Sequence, residues 1–278
     1  MGNEGNTPVA VGEHSVHAVL DLPSRRLKAQ KIVDVLGLSS GPTRMRVLEV
    51  GCGSGGIANY LGTLEGSPFE VDAVDVEDNR LIHAGYRFTQ VSSVALPFAD
   101  ASFDVVISNH VIEHVGDTYA QVHHLREIRR VLRRGGAGYL AVPNRWQLIE
   151  PHFRLPFLSW LPERWRTPYL RAARRGELYD CRPVTRGELE ALFGHGGLVH
   201  ENACVHALRS MMAIEGRRWS MQRWLLGLVP DRVLWSLRSA CPTHVYRFWR
   251  DEFADAQGGA DLPPSPSSRQ SVVERSNE

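Results

Sequence analysis

The sequence predicts an α/β fold in which a doubly wound, largely parallel sheet is covered by helices on both faces. Residues 47–50 form a short apolar run, typical of a buried strand, and four glycines follow within residues 51–56. A helical pattern at 57–64 comes next, and residues 118–134 are amphipathic with apolar side chains at spacings of three and four. Strands that alternate with helices in this way indicate a parallel sheet.

The other elements follow from their own local patterns. The polar, glycine-containing stretch 1–13 is expected to be flexible, and the Gly-, Pro- and Ser-rich stretch 251–278 to be a disordered tail. Thr185 with Glu188 three residues later predicts a capping box at the start of a helix. The remaining predicted elements are a helix over 14–36 broken near Pro23, a second strand over 70–76, a fifth strand over 138–142, a helix over 185–193, and sixth and seventh strands over 199–208 and 243–249.

Two segments do not fit the alternation and are predicted to form a cap. Residues 151–180 contain four prolines and several aromatic side chains, a composition too broken for a long helix and too apolar for a linker. Residues 209–241 separate the sixth and seventh strands and are rich in Trp, Met and Arg. Such a segment suits a cap over a substrate cleft, and it also suits peripheral contact with a membrane surface. The main domain is expected to span 14–250.

Bulk properties favour a cytoplasmic enzyme. The 278 residues carry a net charge of +1, so the chain shows no global signal for nucleic-acid binding. Its four cysteines are scattered without a C-x-x-C pair, which indicates neither a disulfide framework nor a metal site. No apolar run is long enough for a membrane span, and residues 1–20 lack the pattern of a signal peptide.

The glycine turn is compatible with two cofactor classes. Gly51, Gly53 and Gly56 fit the dinucleotide pattern G-x-G-x-x-G, which would make the chain an NAD(P)-dependent oxidoreductase. Glu49 extends the same run to E-x-G-x-G-x-G. Asp75, at the end of the second predicted strand, suits a ribose in either case, because an ionised carboxylate can accept from both hydroxyls.

Further segments favour SAM over NAD(P). The run 49–55 resembles motif I of the class I S-adenosylmethionine (SAM) methyltransferases. Later motifs of the ubiquinone/menaquinone-type group of these enzymes resemble residues 96–115 (LPFADASFDVVISNHVIEHV) and 131–136 (VLRRGG). Together, the resemblance covers about residues 28–145. The resemblance implies a seven-stranded Rossmann-like sheet and SAM as cofactor. It departs at Ser92, where the family often has an adenine-binding Asp. A catalytically silent relative would have no reason to keep Glu49 and Asp75. The implied cofactor-binding residues are Glu49, Gly51, Cys52, Gly53, Gly55, Asp75, Val76, Ser92, Ser93, Asn109 and His110.

Catalytic candidates are expected above the carboxyl ends of the fourth and fifth strands. His114 lies just after the fourth strand and His152 just after the fifth, and an imidazole that titrates near neutral pH can accept a proton from a hydroxyl. His123 and His124 are expected on the solvated face of their helix. The predicted reaction is methylation, most simply at oxygen, of a small-molecule or lipid-linked acceptor: a cell-surface glycan, a quinone or a natural product. Oligomeric state stays open.

Overall fold

The computed structural model describes residues 21–38, 43–66, 68–215 and 226–250, and its described strands form one seven-stranded sheet. The strands are β1 (Met45–Val50), β2 (Phe69–Asp75), β3 (Arg87–Gln90), β4 (Phe103–Asn109), β5 (Leu132–Pro143), β6 (Leu198–Asn202) and β7 (Thr243–Arg250). Their order is β3-β2-β1-β4-β5-β7-β6. The first five pair in parallel, and β7 inserts antiparallel between β5 and β6. This confirms the predicted sheet.

Helices cover both faces of the sheet. The α-helices are α1 (Leu22–Leu36), α2 (Gly56–Thr63), α3 (Thr118–Val131), α4 (Glu163–Ala172), α5 (Arg186–His195), α6 (Cys204–Glu215) and α7 (Asp231–Ser236). Side chains alternate along the central strand β4: Val106 packs with α3 and α5, whereas Val105 and Ile107 pack with α1, α2 and α6. All three are buried. The two-residue period of the strand therefore supplies both cores.

Two predictions about element boundaries differ from the structure. Pro23 lies in the first turn of α1, where its missing N–H is no loss, so it begins the helix rather than breaking it; residues 14–20 lie outside the described residues. Helix α3 ends at Val131, and β5 starts directly at Leu132 instead of after the glycine pair. The capping box of Thr185 and Glu188 is confirmed at the start of α5.

The predicted sixth strand is correct only as far as Asn202. The Asn202 side chain accepts a hydrogen bond from the N–H of Cys204 at 3.1 Å, and Ala203 donates its N–H to the carbonyl of Val245. These bonds end the β6 ladder, and the small side chains of Cys204 and Ala207 then pack in the core as part of α6. A helix over 204–215 replaces the predicted strand because tertiary packing overrides local strand preference.

The segment between β5 and α5 forms a cap with its own small core. Asn144 and Val184 pair as a parallel bridge, so the segment leaves and rejoins the domain at one place. A 3₁₀ turn at 158–160 and helix α4 bury Leu155, Leu158 and Leu170 together. The cap begins at the carboxyl end of β5, and its role over a substrate cleft stays a prediction.

Part of the second predicted cap segment is also ordered against the domain. Arg209 on α6 pairs with Asp231 at 2.8 Å and donates to the carbonyls of Leu226, Gly227 and Val229. Residues 216–225, which include Trp219, Met221 and Trp224, lie outside the described residues. Within the described ranges, no helix has both the length and the apolar character needed to span a bilayer.

Candidate active site

The glycine turn after β1 is shaped by two close contacts. Gly51 has φ +74°, and a Cβ there would lie 2.3 Å from Cγ2 of Val111. Gly55 has φ +75°, and its Cβ would lie 2.1 Å from Oη of Tyr86. Both positions therefore require glycine for its backbone conformation and for space. Since Val111 follows β4, the first contact places the turn beside the loop at the end of that strand.

The N–H groups of this turn are bonded within the chain. The glycine-rich sequence predicts that these N–H groups point toward a ligand above the sheet, and this prediction is wrong for four of the N–H groups. The four amides donate as follows: Gly51 and Cys52 to the Val74 carbonyl at 2.8 and 3.2 Å, Gly53 to Asp75 Oδ2 at 2.7 Å, and Gly55 to the Cys52 carbonyl at 2.9 Å. The turn thus offers a ligand close approach to bare backbone rather than a set of donors.

Glu49 fills the position where an anion would meet the start of α2. Its carboxylate is buried and accepts a hydrogen bond from the N–H of Ala58 in the first turn of that helix. A helix N-terminus is the usual site for a pyrophosphate, so an acidic side chain there disfavours a dinucleotide. Burial raises the pKa of Glu49 to about 8. Among the described residues its Oε2 has no hydrogen-bond partner, which suits a ligand that brings a cationic group.

Two cations of α1 approach the same region. Arg25 packs against Gly56 and interacts electrostatically with Glu49. Lys28 lies within electrostatic reach of Glu113, and burial lowers its pKa to about 8. Neither was predicted from the sequence, because α1 precedes every recognised motif and only the packing of α1 on α2 brings it here.

Asp75 ends β2 beside the turn, as predicted. Its Oδ2 accepts from Gly53, and its Oδ1 accepts from the N–H of Val76 at 2.8 Å. Oδ1 also accepts from the N–H of Glu77 at 3.4 Å. A carboxylate offers about two acceptor sites on each oxygen, so Oδ2 keeps capacity for a ribose hydroxyl. Burial raises the pKa of Asp75. A ligand that donates hydrogen bonds to this carboxylate would favour its ionised form.

The remaining predicted cofactor residues lie at the rim. Asn109 is buried at the end of β4, and among the described residues its side-chain amide has no hydrogen-bond partner. His110 follows with φ +60°, and burial lowers its pKa. Ser92 and Ser93 are exposed on the loop after β3, with Ser93 Oγ accepting from the N–H of Ala95 at 3.3 Å. Adenine contact at these serines stays a prediction.

The two candidate histidines lie together. The His114 and His152 rings are 5.1 Å apart between centroids and nearly perpendicular. Cys181, from the far end of the cap, lies between them: its Sγ is 3.7 Å from His114 Nδ1 and 3.9 Å from His152 Nδ1. The sequence does not reveal this group, because 38 and 29 residues separate its members in the chain.

Buried carboxylates surround these histidines. His152 Nδ1 lies 2.8 Å from Glu150 Oε1, and the other Glu150 oxygen accepts from the N–H of Phe153. Glu113 lies 3.4 Å from His110 Nδ1 and 3.9 Å from His114 Nε2. Burial alone would lower the pKa of His152, but the bond to Glu150 and the nearby carboxylates outweigh it, so that pKa is raised. Burial raises the pKa of the Cys181 thiol, which keeps the thiol protonated.

The expectation for His124 is wrong. This side chain is buried and its Nε2 lies 3.1 Å from Ser108 Oγ beneath β4, where burial lowers its pKa to about 4. His123 is only half-buried. Neither joins the group around His114.

Comparison with known proteins identifies the central part of this domain. A family model described as a methyltransferase domain matches residues 48–140. A probable S-adenosylmethionine-dependent methyltransferase of Mycobacterium tuberculosis is 37% identical over 108 residues, which is 37% of each chain. These matches support a class I SAM-dependent methyltransferase domain over residues 48–140. They also support SAM as the cofactor of this domain, in agreement with the bonded turn amides and with Glu49 at the start of α2.

Two further relatives carry names of O-methyltransferases. A fatty-acid O-methyltransferase of Mycolicibacterium smegmatis is 39% identical over 100 residues, 33% of this chain and 34% of that protein. A ubiquinone biosynthesis O-methyltransferase of Parvibaculum lavamentivorans is 31% identical over 130 residues, 42% of this chain and 49% of that protein. The chain thus matches less than half of the length of these curated relatives.

Solved structures of low similarity also match. A SAM-dependent methyltransferase of Aquifex aeolicus covers 67% of this chain and 88% of its own, with 16% identity and a TM-score of 0.45. A similarity this low identifies neither a substrate nor a site residue.

Proposed function

We propose that the protein transfers the methyl group of SAM to a hydroxyl oxygen of an apolar acceptor that enters between the loop after β4 and the cap. One observation carries this proposal: the His152–Glu150 pair of the cap meets His114 of the loop after β4, and the same loop contacts Gly51 of the glycine turn through Val111. SAM supplies the activated methyl group, so the protein must position the acceptor and remove its proton.

The proton acceptor of this proposal is His152. Its hydrogen bond to the Glu150 carboxylate, at 2.8 Å, orients the ring and stabilises the imidazolium. The bond to Glu150 and the nearby carboxylates raise the pKa of His152, which makes its imidazole a stronger base. His114, with its ring 5.1 Å away, is placed to orient the acceptor oxygen.

The acceptor's apolar part is assigned to the aromatic surface formed by Trp146, Phe157 and Trp160. The rings of Trp146 and Phe157 lie 5.7 and 5.0 Å from that of Trp160, and all three are exposed. Exposed Leu148 and Ile149 extend this surface. A contiguous exposed apolar surface beside a buried polar site suits a partner that is apolar at one end and polar at the other. The printed names of the two O-methyltransferase relatives, for fatty acids and for ubiquinone biosynthesis, agree with such an acceptor.

Two arginines of the cap, Arg166 and Arg182, are engaged within the protein and give little support to an anionic acceptor group. Arg166 is buried and donates to the carbonyls of Ser159 and Leu161, and Arg182 pairs with Glu163 at 2.7 Å. These guanidinium groups stabilise the cap itself. We therefore favour a lipid or prenylated phenol over a phosphorylated acceptor.

The test compares two classes of acceptor with one variant. His152→Gln should lower kcat for long-chain or prenylated phenols by about 10²- to 10⁴-fold, because it removes the general base. Turnover of a long-chain fatty acid should change far less, since a carboxylic acid is already ionised at neutral pH. His206→Gln, at a half-exposed histidine on α6, is the matched control. Equal losses on both acceptors would contradict the role of His152.

The oxidoreductase and silent-module alternatives are separated by binding and turnover. Calorimetry should show binding of SAM and none of NADH. Binding of NADH without SAM would refute the proposal. Binding of SAM with no methyl transfer to phenols, fatty acids, glycans or quinones would favour a catalytically silent module.

A further inference from the structure

We infer that His114, His152 and Cys181 form a binding site for a soft divalent cation such as Zn²⁺, which ties both ends of the cap to the loop after β4. The inference does not rest on the proposed acceptor, because it concerns a site that can be filled without any substrate.

The distances are close to those of a zinc site. Zn–N bonds of about 2.05 Å and Zn–S bonds of about 2.3 Å in a tetrahedron place N and S about 3.5 Å apart. Cys181 Sγ lies 3.7 Å from His114 Nδ1 and 3.9 Å from His152 Nδ1. All three ligand atoms lie within 4.8 Å of one another. Small rotations of two imidazoles would therefore bring them around one ion.

A fourth ligand lies beside the three, and a buried carboxylate lies near the outer nitrogen of His114, beyond hydrogen-bond distance. Glu150 Oε1 lies 2.8 Å from His152 Nδ1, so a cation bound to that nitrogen would also meet the carboxylate. Glu113 lies 3.9 Å from His114 Nε2, on the side of the ring opposite Cys181. Histidine ligands of metals usually donate their second N–H to a carboxylate, which fixes the ring.

The charge of the region favours a cation. Glu113 and Glu150 are both buried, and Asp180 Oδ1 lies 3.7 Å from the Cys181 sulfur. Buried carboxylates are costly unless a positive charge compensates them. Metal binding would release the Cys181 thiol proton and the His152 Nδ1 proton to solvent. The resulting ligand set of one thiolate and two imidazoles selects Zn²⁺ or Co²⁺ over Mg²⁺ and Ca²⁺, which prefer oxygen.

Such an ion would act as a clip. His152 is at the start of the cap, Cys181 is at its end, and His114 belongs to the loop that carries Val111 against Gly51. Binding would hold these three segments together and stabilise the cap. It would also replace the Nδ1 proton that His152 donates to Glu150, so metal binding would remove the hydrogen bond that orients this ring in the proposed reaction.

The experiment uses the untagged full chain, stripped with a chelator and titrated with Co²⁺ and Zn²⁺ without SAM or acceptor. Co²⁺ should bind one equivalent and give a thiolate-to-cobalt charge-transfer absorption in the near ultraviolet, and Zn²⁺ should displace it and raise the Tm. Cys181→Ser should abolish this absorption and weaken Zn²⁺ binding more than about 100-fold, since loss of an outer partner alone costs 10- to 100-fold. Glu113→Gln should fall in that smaller range.

Cys241→Ser is the matched control, because Cys241 interacts with Cys204 in a separate thiol pair near His244. This variant should keep the Co²⁺ absorption. Its loss in Cys241→Ser but not in Cys181→Ser would place the metal elsewhere and overturn the inference, as would a wild-type spectrum without thiolate absorption. SAM affinity, measured in chelator, should be the same in all variants, so a failure of metal binding is distinguishable from a failure of the methyltransferase proposal.

Discussion

Gly51→Ala should destabilise the fold more than a glycine substitution that introduces the same backbone strain in open space. An alanine at φ +74° costs about 1–2 kcal/mol in the left-handed region. Its Cβ would also lie 2.3 Å from Cγ2 of Val111, and overlap of this kind costs about 1–3 kcal/mol. The free energy of unfolding should therefore fall by about 2–5 kcal/mol.

Gly37→Ala provides the matched control. Gly37 ends α1 with φ +64°, and a Cβ there would meet nothing within 4 Å. Only the cost of the left-handed backbone conformation applies, so the free energy of unfolding of this variant should fall by about 1–2 kcal/mol. The difference between the two glycine variants measures the overlap with Val111.

A double-mutant cycle with Val111→Ala separates the two causes. Removing both Val111 methyl groups should recover about 1–3 kcal/mol of the Gly51→Ala loss, seen as a coupling energy in urea denaturation followed by tryptophan fluorescence. SAM affinity, measured by calorimetry, should fall in Gly51→Ala by about tenfold or more and recover partly in the double variant. Equal destabilisation of Gly51→Ala and Gly37→Ala, or a coupling energy near zero, would refute the reasoning.

Three further predictions concern the cofactor site and the cap. Asp75→Ala should weaken SAM binding by about 2–3 kcal/mol in calorimetry, because the ribose contact and the bond to the turn are both lost. Asp72→Ala on the same strand is the control and should affect stability alone. Equal SAM affinities of the two variants would place the ribose elsewhere. The raised pKa of Glu49, about 8, means that the folded state binds more protons than the unfolded state between pH 4.5 and 8, so its contribution to stability is present below pH 4.5 and lost as the pH rises through 8. Urea denaturation without SAM should therefore show wild type losing stability relative to Glu49→Gln across this window, and parallel pH profiles would argue against a buried neutral carboxyl. Arg166→Met should increase hydrogen exchange in residues 151–180, because two carbonyls lose a buried donor, and it should leave SAM affinity unchanged; unchanged exchange would show that Arg166 does not hold the cap.

The sequence by itself determined the sheet, the glycine turn and the cofactor class. Strand β1, the glycines after it and Asp75 are local patterns whose geometry is set within a few residues by chirality and by the two-residue period of a strand. The order of motifs along residues 49–136 then separated SAM from NAD(P), which the glycines alone could not do.

Only the tertiary structure decided how the turn amides are used and which groups meet at the site. Glu49 at the start of α2 and the Val74 carbonyl under the turn accept hydrogen bonds from backbone N–H groups that the sequence suggests are available to a ligand. The helix over 204–215 likewise replaced a predicted strand, because Cys204 and Ala207 fill a space against α1 that no local propensity encodes.

The cluster of His114, His152 and Cys181 shows the physical reason most clearly. Its members come from the loop after β4 and from the two ends of the cap, and the cap closes on itself through the bridge between Asn144 and Val184. Contacts between residues tens of positions apart depend on how whole elements pack, and no pattern within a short window of sequence carries that information. The chemical character of His114 and His152 could therefore be predicted from the sequence, whereas their meeting with Cys181 could not.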